Sequence, residues 1–349
     1  MKTWQEILSE SVTTFADLQK HLNCNTTALE DVIATFPMRI NPYFLELIKQ
    51  HGTPLWRQAV PDIKEIQDTV CLRDPLAEDK HSPVDNLVHR YPDRALILVS
   101  NSCAMYCRFC TRRRMVGREN SSINAQSLQK VYEYLRATPA IREVLLSGGD
   151  PLLLEDHTLN EILSELRQIS SLEVIRIGTR VPSTLPMRIT PELVAILKKY
   201  HPLFVNTHFN HPLELTEEAA SACRLLADGG IPLGNHTVLL KGVNDDALTI
   251  RTLMLGLLRF RVKPYYLFQA DLTCGTNHFR TSTKTGIEIM KSLIGHISGM
   301  AVPVLALDAP GGKGKIPLSP DYIINRGEKL TFFNYKGEIC SYPEPVETF

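Results

Sequence analysis

The feature that most constrains the fold is an alternation that begins near His89. Short runs rich in Leu, Ile and Val are each followed by polar or glycine residues and then by a segment with helical periodicity. This alternation is typical of a parallel sheet covered by helices, because strands buried on both faces are nearly continuous apolar runs. The predicted strands are 95–100, 143–147, 174–178, 203–207, 235–240, 263–268 and 302–307. The predicted helices between them are 125–137, 161–169, 191–199, 214–228 and 284–297.

Clusters of unusual residues follow the predicted strand ends. They are NSCAMYCRFC, SGGDP, GTR, NTHFNH, KGVND, QADL and LDAPGGKGK. Parallel barrels and doubly wound open sheets both build their sites beyond the carboxyl ends of the strands. We therefore predict an α/β fold with a partial parallel (β/α) barrel, and keep an open sheet as the alternative.

The first 85 residues have a different pattern. Amphipathic runs over 4–18, 27–34 and 42–50, interrupted by prolines, predict a helical cap. We divide the 349 residues into an N-terminal helical region (1–85), a core (86–300) and a C-terminal segment (301–349).

Composition excludes several classes of function. Lys plus Arg and Asp plus Glu both number 38, so no net field would attract nucleic acid or an anionic membrane. Residues 1–20 lack the basic and apolar regions of a secretory signal, and no uninterrupted apolar stretch has the roughly 18 residues of a membrane span. We expect a cytoplasmic protein whose cysteines stay reduced.

Three of the eight cysteines, Cys103, Cys107 and Cys110, form a C-x3-C-x2-C triplet, which favours metal binding over a disulfide. Structural zinc needs four protein ligands, and no second CxxC or HxxxH pair accompanies the triplet. Three thiolates on a four-iron cubane leave one iron open to an exogenous ligand. We predict a redox-active 4Fe-4S cluster, with zinc-binding or incidental thiols as the alternative. The remaining cysteines, predicted to be ordinary thiols, are Cys24, Cys71, Cys223, Cys274 and Cys340.

The triplet, placed after the first core strand and followed by SGGDP, resembles the radical S-adenosylmethionine (SAM) enzymes. In that family the open iron is chelated by the amino and carboxylate groups of SAM, which the cluster cleaves to a 5'-deoxyadenosyl radical. The resemblance implies a barrel of the radical SAM type. It also implies that Ser147, Gly148, Gly149 and Asp150 lie beside the methionine part of SAM; alone, a glycine pair at a strand end indicates only a turn.

Further segments look like the lysine 2,3-aminomutases over about residues 75–325. They are HRYPDR (89–94), CRFCTRRR (107–114), VPSTLPMRIT (181–190), GNHTVLLKGVND (234–245) and DAPGGKGK (308–315). The resemblance implies that Lys315 carries pyridoxal phosphate as a Schiff base, and the flanking glycines allow the close backbone approach that such a site needs. A surface GKGK loop is the alternative, and Lys313 stands where the family usually has glycine. A Walker phosphate loop is excluded because Ile316 stands where Ser or Thr is required.

The resemblance also implies the substrate contacts. A planar bidentate donor suits an α-carboxylate, and Arg112 matches the arginine that holds it in these aminomutases. Asp271 and Asp308 match the acid pair that receives a lysine ε-ammonium. Together the three residues select a dibasic amino acid.

Four other residues are candidate cofactor contacts. Arg90 and Arg94 are candidate clamps for the phosphate of pyridoxal phosphate, with ion-paired surface residues as the alternative. His208 and His236 are predicted to face the site, although a lone histidine is more often a satisfied polar residue. His236 replaces the glutamine of the family, a change that can alter contacts to SAM.

We therefore predict an isomerase, an L-lysine 2,3-aminomutase that interconverts lysine and β-lysine with a 4Fe-4S cluster, SAM and pyridoxal 5'-phosphate. The resemblance implies an electron donor such as flavodoxin or ferredoxin, and leaves a homo-oligomer open. Larger members carry a longer cysteine-bearing C-terminal extension, so we do not expect their zinc site here.

One alternative is a short relative that makes β-lysine for attachment to elongation factor P. The alternative from another class is a non-enzymatic iron-sulfur redox protein.

Overall fold

The computed structural model describes residues 2–22, 28–118 and 124–345. Within them the N-terminal region is helical, as predicted, but its first helix is shorter than expected. The predicted run over 4–18 is divided, because Val12 exchanges backbone hydrogen bonds of 2.8 and 3.0 Å with Ile40. Thr14 then caps a second helix by accepting the amide of Asp17 at 3.1 Å. The predicted start of the next run, Thr27, lies outside the described residues. The N-terminal helices are α1 (Trp4–Ser9), α2 (Phe15–His21), α3 (Ala28–Thr35), α4 (Pro42–His51) and α5 (Thr53–Ala59).

One mostly parallel sheet forms the core. Its strands are β1 (Leu87–Tyr91), β2 (Arg94–Ser100), β3 (Glu143–Gly148), β4 (Val174–Gly178), β5 (Leu203–Thr207), β6 (Leu233–Leu239), β7 (Val262–Gln269), β8 (Val304–Asp308) and β9 (Lys315–Pro317). Strands β2 to β8 pair in parallel and in strict sequence order, and the antiparallel strands β1 and β9 flank them. A doubly wound sheet would reverse its order at a switch point. The sequential order, with no β1–β9 pairing to close the sheet within the described residues, confirms the partial barrel.

Amphipathic helices cover the outer face of this sheet. Leu159, Leu163 and Leu166 of one helix are fully buried in the same core as Ile175 and Ile177 of β4. Burying each such side chain contributes about 1.5–3 kcal/mol, so the apolar faces hold the layers together. The helices are α6 (Ala125–Ala137), α7 (Asp156–Arg167), α8 (Val181–Thr184), α9 (Pro191–Leu197), α10 (Glu217–Asp228), α11 (Ala247–Arg259) and α12 (Thr283–Leu293).

The predicted core strands agree with β2 to β8 to within two residues at each end. Helix α6 has the predicted bounds, whereas α7 begins at Asp156, five residues before the expected 161. Helix α11 was not predicted, although Asp246 caps it by accepting the amide of Thr249 at 2.8 Å. A separate antiparallel sheet in the C-terminal segment was also missed; its strands are β10 (Ile323–Asn325), β11 (Lys329–Phe333) and β12 (Ile339–Pro343).

The N-terminal helices pack against the loop that bears the cysteine triplet. Met105 of this loop is 2% exposed and belongs to the same apolar cluster as Phe44 of α4. The Asn41 side-chain amide donates to the carbonyl of Ala104 at 3.0 Å, and Ile40 forms a β-bridge with Met105. The helical region thus positions the cysteine loop. The residue limits of the three predicted regions remain a prediction.

Candidate active site

One cavity of about 900 Å³ lies inside the partial barrel. Its size suits a small substrate together with cofactors. All the site residues predicted from the sequence line it; they are Arg90, Arg94, Cys103, Cys107, Cys110, Arg112, Ser147, Gly148, Gly149, Asp150, His208, His236, Asp271, Asp308 and Lys315. The fold therefore brings together residues that are up to 225 positions apart in the sequence.

The cysteine part of the cavity comprises Cys103, Cys107 and Cys110, with Asp150 and Arg180 as neighbours. The three thiols are half-buried and form no disulfide. Burial raises the pKa of Cys103, and raises that of Cys110 to about 11. The metal-free thiols of Cys103 and Cys110 are therefore protonated at neutral pH, and ligation has to release their protons.

Arg180, the second residue after β4, was not singled out from the sequence beyond its place in the GTR cluster. Its Nη1 donates to Sγ of Cys107 at 2.8 Å. Its Nη2 donates to Oε1 of Gln58 at 2.5 Å and to Oε2 of Glu214 at 3.2 Å, and both of these partners are fully buried. A guanidinium that donates to a ligating sulfur stabilises the charge there, which is one means by which a protein sets a cluster potential.

The donor set fits an iron-sulfur cluster. Within residues 2–22, 28–118 and 124–345, no three His, Cys, Asp or Glu side chains form a group suited to a single metal ion. A cubane does not require three sulfurs around one atom, since its thiolates bind different irons. Three soft thiol donors on one cavity wall, next to a buried cationic donor, suit a cluster better than an isolated hard cation.

A buried ion triad fastens the same loop and was missed by sequence reasoning. Arg108 donates to both oxygens of Glu65, through Nε at 3.0 Å and Nη2 at 2.6 Å. Arg113 also pairs with Glu65, and donates to the carbonyl of Gly275 at 2.9 Å. Glu65 is 1% exposed. Burial raises the pKa of Glu65, but the two guanidinium groups outweigh burial and hold the net pKa below its usual value.

The SGGD segment is positioned by close packing. A Cβ on Gly149 would lie 2.3 Å from the carbonyl oxygen of Ser102, which no side chain allows, so glycine is required there. The buried Asp150 carboxylate accepts the hydroxyl of Thr179 at 2.7 and 2.9 Å and the amide of Arg180 at 2.7 Å. Asp150 therefore joins the loop after β3 to the loop after β4.

The lysine part of the cavity comprises Lys315, Asp308, Asp271 and Arg90. Asp308 at the end of β8 pairs in register with Lys315 at the start of β9. Nζ of Lys315 donates to both oxygens of Asp308, at 2.9 and 3.0 Å, and lies 4.9 Å from the ring centre of Phe268. Lys313 is exposed and does not line the cavity.

Asp271 is the strongly perturbed acid of this part. No hydrogen bond or ion pair within the described residues holds its carboxylate. Burial and the nearby Asp308 carboxylate raise the pKa of Asp271 to about 7, although Lys315 and Arg90 act in the opposite direction. The carboxylate can therefore change its charge near neutral pH.

Arg112 lies beside a buried acid that the sequence did not indicate. Its Nε and Nη2 donate to Oε1 of Glu78 at 3.0 and 2.7 Å, and its Nη1 donates to Oγ of Ser147 at 3.1 Å. Glu78 is 4% exposed. Burial raises the pKa of Glu78, but the pairing with Arg112 outweighs burial and lowers the net pKa.

The two candidate phosphate-binding residues, Arg90 and Arg94, differ in burial and in hydrogen-bond partners. Arg90 is mostly buried, its Nη2 donates to the carbonyl of Leu76 at 2.7 Å, and its Nε has no hydrogen-bond partner within the described residues. Arg94 stacks on Tyr91 at 4.0 Å and donates to Asp93 at 2.9 Å, with 38% of its side chain exposed. The unpartnered Nε and the reachable Lys315 amine fit an anionic aldehyde cofactor such as pyridoxal phosphate.

His208 and His236 form a pair on the cavity wall. Their ring centres are 4.4 Å apart, and Nε2 of His208 donates to Oδ1 of Asn210 at 3.0 Å. Burial lowers the pKa of both, to about 4 for His236. Both imidazoles are therefore neutral at neutral pH.

The other described cysteines do not line the cavity. Cys223 is buried, and Cys71, Cys274 and Cys340 are half-buried. Cys24 lies outside the described residues.

Comparison with known proteins first gives the class. Residues 97–253 match the family model of the radical SAM superfamily. This segment contains the cysteine triplet and strands β3 to β6, so the chain is a radical SAM enzyme that uses a 4Fe-4S cluster and SAM. Residues 290–349 match a second model, described as lysine-2,3-aminomutase.

Individual relatives narrow the class. The L-lysine 2,3-aminomutase of Clostridium subterminale is 47% identical over 98% of this chain and 84% of the relative. That of Methanococcus maripaludis is 49% identical over 99% of this chain and 81% of the relative. The glutamate 2,3-aminomutase of Clostridioides difficile is 44% identical over 93% of this chain and 78% of the relative.

This chain belongs to the lysine 2,3-aminomutase family. The predictions of the family, of the α/β partial barrel and of an isomerase are thereby confirmed, and the alternative of a non-enzymatic iron-sulfur protein is wrong. A glutamate enzyme is nearly as similar to this chain as the lysine enzymes are, so sequence identity does not distinguish the two substrates. The substrate has to be inferred from the residues that line the cavity.

None of the helices within the described ranges combines the length and the apolar character needed to cross a bilayer.

Proposed function

We propose that this protein is an L-lysine 2,3-aminomutase that interconverts lysine and β-lysine. The observation that carries the proposal is the charge arrangement of one cavity, in which Arg112 shares the wall with the acid pair Asp271 and Asp308. Arg112 would bind the α-carboxylate, and the acids would bind the ε-ammonium. Glutamate would place a second carboxylate beside the acids, where like charges repel.

The contact between Lys315 and Asp308 supports this assignment. Nζ of Lys315 is an alkylammonium group, and Asp308 accepts it with both oxygens at 2.9 and 3.0 Å. The ε-ammonium of a lysine substrate has the same charge and the same donors. Once Lys315 has given up its proton and bound the cofactor, Asp308 would be available to the substrate.

We assign Lys315 as the residue that would hold pyridoxal phosphate, with Arg90 and Arg94 as its phosphate contacts. Cys103, Cys107 and Cys110 would hold the cluster, and the 147–150 segment, His208 and His236 would contact SAM. When bound, the cluster with SAM supplies the radical chemistry, and pyridoxal phosphate carries the amino group as it moves between C2 and C3. The chain itself binds the two ends of the substrate, orients them and excludes water.

The test is anaerobic reconstitution of the enzyme with iron and sulfide, followed by incubation with dithionite, SAM, pyridoxal phosphate and either L-lysine or L-glutamate. We expect β-lysine from lysine and no β-amino acid from glutamate, as measured by chromatography of derivatised products. Conversion of glutamate instead of lysine would refute the assignment of Asp271 and Asp308.

The elongation factor P alternative differs in product stereochemistry. Chiral chromatography of the β-lysine distinguishes the two enzymes, because the short relatives make the opposite enantiomer. The cytoplasmic location, the flavodoxin or ferredoxin donor and the oligomeric state stay predictions from the sequence.

A further inference from the structure

Glu78 is a buried acid in the cavity wall to which the resemblance assigned no role. Its carboxylate faces Arg112, the proposed partner of the substrate carboxylate, and accepts from Nε at 3.0 Å and from Nη2 at 2.7 Å. We propose that Glu78 is a positioning residue that sets the orientation of Arg112 and thereby its selectivity for the α-carboxylate. The inference rests on the proposed function, since it takes Arg112 as the carboxylate-binding residue.

The hydrogen bonds of Arg112 to its described neighbours use three of its N–H donors. A guanidinium has five N–H donors. Glu78 engages one on Nε and one on Nη2, and Ser147 engages one on Nη1 at 3.1 Å. Within the described residues, one N–H on each terminal nitrogen has no acceptor, so both can donate to a carboxylate.

The segment that carries Glu78 is anchored independently of Arg112. We call residues 74–81 the acidic strap. The carboxylate of Asp74 accepts the amides of Glu78 and Asp79, at 3.1 and 3.0 Å, which fixes the turn from which Glu78 projects. The carbonyl of Leu76 accepts Nη2 of Arg90 at 2.7 Å.

The strap is also attached to the loop that precedes Lys315. The amide of Gly311 donates to the carbonyl of Pro75 at 2.8 Å. A Cβ on Gly312 would lie 2.7 Å from the carbonyl oxygen of Leu76 and 2.6 Å from Nε2 of His81, so the contact requires glycine. Because the strap contacts both β1 and the Lys315 loop, Glu78 holds Arg112 in a fixed position relative to the lysine part of the cavity.

Two effects of removing the Glu78 charge oppose each other. Loss of the negative charge would strengthen the pull of Arg112 on an anion, whereas loss of the acceptor would free the guanidinium to turn. Asp271 lies within electrostatic range of Arg112 and is an alternative partner for it. If the freed Arg112 paired with Asp271, the substrate would lose the partner of its α-carboxylate and one partner of its ε-ammonium at the same time. We expect the loss of orientation to dominate, because misplacing a positioning group by about 1 Å can cost about 100-fold.

The test compares Glu78→Gln with wild-type holoenzyme and uses two ligands, L-lysine and L-lysinamide, which lacks the carboxylate. Dissociation constants are measured from the cofactor absorbance without reductant, and KM and kcat for lysine are measured separately. We expect the preference for lysine over lysinamide to fall about 10- to 100-fold, and KM for lysine to rise more than kcat falls. The matched control is Asp79→Asn. Asp79 is an exposed neighbour that pairs with Arg114 at 2.9 Å and should keep the wild-type preference.

Two results would overturn the inference. One is an unchanged preference, whether both ligands bind as in the wild type or both are weakened equally. The other is a stronger preference for lysine, which would mean that Glu78 only offsets charge. If Glu78→Gln yields no holoenzyme, Glu78→Asp replaces it; the shorter acid should reduce the preference several-fold, and a wild-type preference in that variant would refute the inference. Failure of the wild-type enzyme to convert lysine would instead refute the proposed function.

Discussion

The cysteine part and the lysine part of the cavity hold their charges differently. Around the cysteines, buried ions have fixed partners: Glu65 binds two arginines, and Arg180 binds Glu214 and Cys107. In the lysine part, Asp271 has a raised pKa and no hydrogen bond within the described residues, and Asp308 is bound to Lys315, whose amine the proposed cofactor would take up. The first arrangement suits a group that is held permanently. The second suits charged ligands that come and go.

The largest expected effect is on the cysteine part. Cys110→Ala should lose the cluster and reduce SAM cleavage to the background, because only two thiolates remain to ligate the cluster. The lysine part should be unaffected, so the variant should still show the absorbance of lysine-bound pyridoxal phosphate. Iron analysis and a visible spectrum give both readouts. Loss of the cofactor absorbance along with the iron would mean that the two parts are not independent.

Lys315→Ala tests the lysine part of the cavity in the same way. We expect the covalent cofactor absorbance to disappear and β-lysine formation to stop. Lys263, another lysine of the cavity wall, donates to the carbonyl of Met300 at 2.6 Å and does not replace the Nζ that contacts Asp308. The cluster spectrum should persist. Lys313→Ala is the control and should behave as wild type, since Lys313 is exposed outside the cavity. The reverse result in this pair would refute the assignment of Lys315.

A third change tests whether the fixed ions of the cysteine part are structural. Glu65→Gln leaves two buried guanidinium groups without their acid, so the free energy of unfolding should fall by about 3–5 kcal/mol. Chemical denaturation of the metal-free protein measures the change. Glu217→Gln removes an exposed acid that lies 3.5 Å from Arg224, and should change stability by less than about 0.5 kcal/mol. Equal effects of the two substitutions would contradict the contrast between paired buried ions and solvated ones.

The smallest effect is a pH dependence in the lysine part. Asp271 must be ionised to hold an ammonium group, and its pKa lies at about 7. As the pH falls below that value the carboxylate takes up a proton, so the dissociation constant of lysine should rise by up to about tenfold per pH unit. Titration of the cofactor absorbance between pH 6 and 8 measures it. Asp271→Asn should bind lysine more weakly and lose this part of the pH dependence; an unchanged profile in that variant would exclude Asp271 as its source.

Much of the fold could be predicted because its signals are local. Apolar runs set β2 to β8, and the spacing of the cysteines indicated a cluster site. Polar residues just after strand ends indicated the lining of the cavity, since parallel strands end at one rim. The signals failed where neighbours in space set the structure: Val12 leaves its predicted helix to pair with Ile40, and the exposed strands β10 to β12 lack a continuous buried run.

The sequence by itself determined which groups do chemistry, namely three thiols, one lysine and a set of charged side chains, because these are properties of residue type and short spacing. The tertiary structure decided which charged and polar groups are paired. Glu78 meets Arg112 across 34 positions, Glu65 meets Arg108 across 43, and Gln58 meets Glu214 across 156. The physical reason is that pairing depends on the packing of the N-terminal region against the barrel, and no local pattern records which buried acid a given arginine will face.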